Sequence, residues 1–304
     1  MSKESKLTTD AKELAQLTRE HGRKLASGDV LPAIGFGTYA LPDGTDAVKA
    51  VAQAVLCGYR SFDCAAFYGN ESLVGRGLRL GASKAELKRE DFFVTSKVWP
   101  TQLGYQKTMD AFFKSLNDLD VDYMDLYLIH WPANARSHEN WNELNLSTWK
   151  AMVQLYEEGY VRSIGVSNFK EHHLRSLLDT RVPPMVNQLE VHPGYSQQSL
   201  RQFCRMMGIV VEGWSPFGRA RILQHELLQQ LAQKYQRAPT QICLRFALQL
   251  GVVPLPKATN MNHMRDNLQI FDFELESSDM ELLLSLDRDQ IGFSGEDSDL
   301  LTFS

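Results

Sequence analysis

The residues able to carry chemistry in this chain recur at intervals, each closing a short β-rich run. They are Asp63 with Tyr68 just beyond it, Lys97, His130 followed by Trp131, Ser167-Asn168, Gln188 with Glu190, Trp214-Ser215 and Lys257. Aspartate, lysine, tyrosine and histidine can exchange or steer a proton, while hydroxyls, amides and indoles can hold a planar ligand. Singly, each has a plain alternative: an Asp or Lys at a strand end is most often solvated or salt-bridged, and Tyr68 alone could be a packing aromatic. Together, at equivalent places in successive units, they point to one cavity. His130 follows the apolar run Leu126 to Ile129 and precedes Trp131-Pro132, a setting that partly buries it and obliges it to find a specific hydrogen-bond partner.

Holding such a set in place requires a regular scaffold. Strands are predicted over 34–39, 60–65, 92–98, 123–130, 161–168, 184–191, 209–216 and 252–257. Helical apolar spacing fills 46–57, 70–80, 105–119, 147–158, 170–179, 197–207, 225–250 in two pieces parted near Pro239, and 262–271. Gly58, Gly159, Gly208 and Gly251 each end a helical run ahead of a strand. Strands as apolar as 123–130 suit a parallel sheet covered on both faces. Eight strand and helix pairs over about 250 residues predict an α/β fold of the (β/α)8 TIM barrel type, whose chemistry gathers where the strands end. An open doubly wound sheet would want a nucleotide fingerprint after its first strand. The run GFGTYA (35–40) has GxGxxA spacing, but it leads into Leu41-Pro42-Asp43-Gly44 instead of opening a helix.

Outside the repeats, residues 23–32 predict a β-hairpin turning at Ser27-Gly28-Asp29 that plugs the N-terminal end of the barrel. Residues 277–288 predict a supplementary helix with a serine N-cap, and the tail from Ile291 is able to close over a mouth. Residues 1–21 read as a polar extension outside the main fold, helical from Thr9, which leaves 22–304 as a single domain.

Composition agrees: 304 residues, 43% hydrophobic and 23% charged, make a globular chain with a full core. The net charge of −5 supplies no electrostatic reason to expect nucleic acid or an anionic membrane as a partner. Apolar runs stay well short of the ~18 residues of a membrane span, and the N-terminus lacks the apolar core of a secretory signal. Cys57, Cys64, Cys204 and Cys243 form no CxxC pair, which fits neither a disulfide framework nor a zinc site, so a cytoplasmic setting is expected.

Nine segments, in order over residues 23 to 290, resemble the aldo-keto reductase family: GFGTY (35–39), GYRSFDCAAFYGNE (58–71), VTSKVW (94–99), DLYLIHWP (125–132), SIGVSNF (163–169), NQLEVHP (187–193), WSPFG (214–218), LPKA (255–258) and NLQIFDFEL (267–275). The subgroup it resembles is the bacterial and protozoan reductases of diketogluconate and prostaglandin-synthase type. The resemblance implies an NAD(P)H-dependent oxidoreductase that reduces aldehydes and ketones by hydride transfer from nicotinamide C4. It implies Asp63, Tyr68, Lys97 and His130 as the catalytic set, with Tyr68 as general acid. Lys97 is then expected to lower the phenol's pKa, Asp63 to hold the ammonium, and a neutral His130 to orient the carbonyl.

For the cofactor, the resemblance implies Ser167, Asn168 and Gln188 at the carboxamide and Trp214 stacked on the nicotinamide. Ser215 and Phe217 follow along the pyrophosphate, with Lys257, Ala258 and His263 at the adenosine phosphate and Asn267 near the adenine; Gly37 and Thr38 complete the set. Tyr39, Phe67, Trp99 and Trp131, with Trp141, are the implied substrate wall. Two features depart from the family pattern. Trp214 stands where most members carry Tyr, and Lys-Ser followed by Arg is replaced by Lys257-Ala258 followed by His263. A mostly neutral imidazole cannot grip a 2′-phosphate with two parallel charged bonds as a guanidinium does. NADPH is therefore expected, with NADH admitted more readily than in typical members. The loop FGRARILQHE (217–226) is also short where longer members carry a lid.

A monomer acting on small-molecule carbonyls, without a metal, completes the expectation. A non-catalytic nucleotide-binding module used for redox sensing or regulation is the alternative, and the intact proton-transfer set argues against it. A metal-dependent hydrolase on the same barrel would need strand-end ligands such as an HxH pair, whereas His172-His173 stands at a helix start.

Overall fold

A computed structural model describes residues 3–287 and 292–303, with side chains from residue 11 onward. Eight parallel strands follow one another around a barrel: β3 (Phe36–Gly37), β4 (Ser61–Asp63), β5 (Phe93–Val98), β6 (Met124–Ile129), β7 (Val161–Ser167), β8 (Val186–Glu190), β9 (Val210–Trp214) and β10 (Val252–Leu255). Each lies within its predicted span, shortened at the ends. The seam between β3 and β10 is closed by Gly35 and Gly37, whose N–H groups donate to the carbonyls of Pro254 and Pro256 at 3.0 Å each. The prolines lack a donor but keep an acceptor, so closure survives their presence at this edge.

The outer ring comprises α2 (Thr45–Cys57), α3 (Glu71–Ala85), α4 (Tyr105–Leu119), α5 (Trp141–Glu157), α6 (Glu171–Leu178), α7 (Gln198–Met206), α8 (Glu226–Tyr235), α9 (Pro239–Gln249) and α10 (Met261–Leu268). Pro239 opens α9 and separates it from α8. Gly58 terminates α2 in the left-handed region, φ 114°, and donates to Ala54 and Val55 carbonyls. α3 lies close on α2 because Gly77 and Gly81 leave room there for Val51 and Val55.

The hairpin forms as expected, with β1 (Arg23–Lys24) antiparallel to β2 (Val30–Leu31). Leu25 and Leu31 are buried, and Ser27 Oγ lies 2.8 Å from Ser163 Oγ near the start of β7, so the plug is tied to the barrel floor. Two expectations change. The N-terminal segment is helical from Lys3 to Glu20 (α1), and its last turns are not outside the fold. Thr18 is fully buried, its carbonyl accepts from Ala33 N at 2.7 Å, and His21 just beyond stacks on Phe271. The supplementary helix α11 (Ser277–Leu284) follows Glu276 and has no serine cap; Asp279 in its first turn instead binds Lys234 and Tyr235 of α8.

Candidate active site

Strand pairing explains how the proton-transfer residues meet. Asp63 ends β4 in register with Thr95, and Lys97 stands two residues further along β5, so period-two alternation sends both side chains into the lumen. Lys97 is fully buried, and its ammonium lies 2.7 Å from Asp63 Oδ1, 2.9 Å from the Cys64 carbonyl and 3.2 Å from Tyr68 Oη. Three donors meet three partners. Tyr68 arrives from the turn Ala66–Tyr68, which Gly69, φ 65°, folds back over the strand end.

The electrostatics refine one expectation. Burial opposes the charge of Lys97, but Asp63 and Tyr68 outweigh it and hold the amine above its ordinary range. For Tyr68 the balance runs the other way. Burial pushes the phenol up to about 12 while Lys97 pulls against it, so the lowering contribution is present but the net direction is upward. His130, following β6, is buried, and burial followed by the Lys97 ammonium drives it well below its ordinary value, keeping the imidazole neutral. Its Nδ1 has no hydrogen-bond partner among the described residues. Its ring meets Trp99, Phe67 and Tyr68 edge-on.

The residues expected around a nicotinamide also converge. Ser167 Oγ donates to the Gln188 carbonyl at 2.9 Å, and Asn168, at φ 62°, donates through Nδ2 to the His130 carbonyl at 3.0 Å. Asn168 Oδ1 accepts from Trp214 Nε1 at 2.9 Å, which fixes the plane of a half-buried indole. After Trp214 the backbone adopts left-handed conformations at Ser215, Gly218, Arg219 and Ala220, and the N–H groups of Gly218 and Arg219 turn back onto the carbonyl and hydroxyl of Ser215. Phe217 is half-buried against the core. An indole pinned in this way fits the planar part of a nicotinamide dinucleotide.

Other members of the expected set are placed differently. Thr38 is fully buried with its hydroxyl on the Asp63 carbonyl at 2.8 Å, and Gly37 is part of the β3–β10 seam, so both build the wall. Asn267 is buried and Ala258 lies under the surface, whereas Lys257 and His263 are exposed. Lys257 Nζ rests on the Ala40 carbonyl at 3.1 Å.

The model of the Aldo/keto reductase family matches residues 33–288. This chain belongs to that family. As an oxidoreductase of the aldo/keto type it is 42% identical over 268 residues to a glyoxal reductase of Bacillus subtilis, with 88% of this chain and 93% of the relative covered. It is 40% identical to a 9,11-endoperoxide prostaglandin H2 reductase of Trypanosoma cruzi, covering 86% of this chain and 89% of that one. The fold overlays an aldo-keto reductase of Bombyx mori solved in complex with NADP, with a TM-score of 0.81 at 33% identity, covering 88% of this chain and 92% of that one.

At the mouth of this aldo/keto reductase, Phe67 stacks flat on Trp99 at 3.8 Å between centroids, and Tyr39 lies over Tyr68 at 5.1 Å. Trp131 is buried beside Trp214. Trp141, expected in the wall, opens α5, and its ring packs edge-on against His172 and His173. Ile291 lies outside the described residues, but the tail from Gly292 closes on the site and sets Phe303 against Trp99 and Trp131. Two features escaped the sequence reading. Phe303 has no periodic signal to mark it, whereas Glu212 is marked by being an acid inside the apolar run of β9.

A candidate metal cluster also forms among the described residues, where His172 and His173 approach Asp299. His173 Nδ1, however, accepts from Lys170 N at 3.2 Å, which puts the proton of the neutral ring on Nε2, the atom facing Asp299. The cluster thus serves as a helix cap and tail clasp.

Proposed function

We propose that this reductase reduces small-molecule aldehydes and ketones with NAD(P)H, working as a monomer, with Tyr68 as the general acid. The observation that carries the reading is the buried Lys97 ammonium held between Asp63 and the Tyr68 hydroxyl. A bound nicotinamide dinucleotide supplies the hydride. Tyr68 releases its proton to the carbonyl oxygen, and Lys97 stabilises the phenolate left behind. Asp63 keeps the ammonium charged and fixed, while neutral His130 orients the carbonyl from the other side of the mouth. Trp214 with Ser167, Asn168 and Gln188 would hold the nicotinamide end, and Lys257 would meet the adenosine phosphate. The names of the Bacillus relative and of the NADP-bound silkworm structure support this class of substrate and cofactor.

The decisive experiment is Tyr68→Phe, followed by oxidation of NADPH and NADH against methylglyoxal, aromatic aldehydes, diketogluconate and quinones. Turnover should fall by about 10³-fold or more with NADPH affinity kept; an active variant would sink the assignment. Because His263 replaces a guanidinium, preference for NADPH over NADH in kcat/KM should stay under about a thousandfold, ~4 kcal/mol. Steady-state kinetics with both cofactors measures it.

A further inference from the structure

The proton-transfer set leaves Glu212 unexplained. Its side chain is fully buried in the barrel and stands in register with Gln188 on the neighbouring strand. Glu212 Oε2 accepts from Gln188 Nε2 at 2.9 Å. The same nitrogen donates to Asp63 Oδ1 at 2.8 Å, reaching across the lumen from β8 to β4, and Asp63 in turn holds Lys97. A glutamine amide has two N–H donors, and both are taken by carboxyl oxygens here. Only its carbonyl oxygen remains for a ligand. The opposite orientation would turn that carbonyl toward the Asp63 carboxylate, an acceptor against an acceptor.

The state of Glu212 agrees with such a role. Its Oε1 is buried with no hydrogen-bond partner among the described residues, a costly place for a charge and a tolerable one for a neutral carboxyl. Burial, together with the Asp63 carboxylate alongside, raises its pKa above the ordinary carboxyl range, against the pull of Gln188 and Lys97.

We propose that Glu212 is a positioning residue for the dinucleotide: by accepting from Gln188 it decides which way that amide faces, so that the site offers the NH2 of a nicotinamide carboxamide an acceptor. The inference rests on the cofactor reading of the preceding subsection. Glu212 touches neither substrate nor the reacting atoms; it acts through Gln188.

Two substitutions in the full chain test it. Glu212→Gln still offers a carbonyl oxygen to Gln188, so the NADPH Kd, read by tryptophan fluorescence quenching, should stay within about twofold of the parent. Glu212→Leu removes the acceptor, and Kd and the KM for NADPH should rise about tenfold while kcat at saturating NADPH stays within about threefold. An unchanged Kd in Glu212→Leu, or equal damage in Glu212→Gln, would overturn the proposal. Should Glu212→Leu fail to fold, Glu212→Met makes the same deletion with a more adaptable side chain. Hydrogen exchange of the Gln188 side-chain amide, followed by NMR without cofactor, reads the bond directly: slow in the parent and Glu212→Gln, fast in Glu212→Leu. Rapid exchange in the parent also overturns it. A parent chain that keeps slow exchange but binds neither NADPH nor NADH refutes the cofactor reading instead.

Discussion

Tyr68 must be protonated to act as an acid and ionised to act as a base, so the direction of its shift sets opposite pH dependences for the two directions of reaction. Burial carries the phenol up to about 12 despite Lys97. Carbonyl reduction should therefore run nearly flat from about pH 6 to about pH 9, whereas alcohol oxidation should climb through that range without a plateau. Stopped-flow rates in both directions check this, and an oxidation plateau near neutrality would contradict it. Removing the ammonium in Lys97→Met leaves burial unopposed, and oxidation should drop by about 10²-fold or more, further than reduction. These residues are legible in the sequence because Asp63, Lys97 and His130 stand at or beside strand ends and Tyr68 follows in the next turn. The sign of the net shift is not, because it depends on how deeply the turn at 66–68 folds the phenol into the site.

At the level of elements, glycines and caps determine how the layers meet. Gly75 on α3 faces the carbonyl oxygen of Leu119 at the end of α4, and a methyl group there would overlap backbone that cannot rotate away. Gly75→Ala should cost about 1–3 kcal/mol, seen as a lower urea midpoint at unchanged slope. The start of α6 depends on His173, which is buried and reaches back to Lys170 N as a capping-box residue does. Burial, then His172, holds His173 well below its ordinary pKa, against the pull of Asp299. A depressed histidine contributes stability above its unfolded pKa and loses it as pH falls below about 6.5. His173→Gln keeps an acceptor without titrating, so its fall in Tm between pH 7.5 and pH 5.5 should be smaller than the parent's. Strands and helices are predictable from alternation and punctuation, but α5 begins at Trp141, earlier than its apolar spacing suggests, and α11 starts after Glu276 without a serine cap. Helix ends depend on capping partners and packing that a local pattern does not contain.

Over the whole molecule, the C-terminal tail joins the barrel to its mouth. Lys170 pairs with Asp297 and Asp299, and Asn134, almost fully buried, donates to the carbonyls of Ser298 at 2.9 Å and Leu301 at 2.7 Å. These contacts seat Phe303 on the aromatic wall. The ion pairs are partly exposed and each contributes little, whereas the Asn134 side chain is buried together with its bond to Ser298. Asn134→Ala should therefore release the tail without unfolding the barrel. Carboxypeptidase should trim the C-terminus faster, and the KM for aromatic aldehydes should rise several-fold; unchanged trimming would show that the ion pairs suffice.

Sequence by itself determined the barrel, the order of its units and the side chains at the strand ends, because period-two and helical patterns are local and each strand end follows from its own run. Tertiary structure alone decided which of those side chains face one another. Gln188 reaches Asp63 across 125 positions of chain, and Phe303 reaches Trp99 from the far terminus. Such contacts exist only once the sheet closes, since closure brings opposite strands to within hydrogen-bonding distance and encloses charges whose protonation then follows from shared burial.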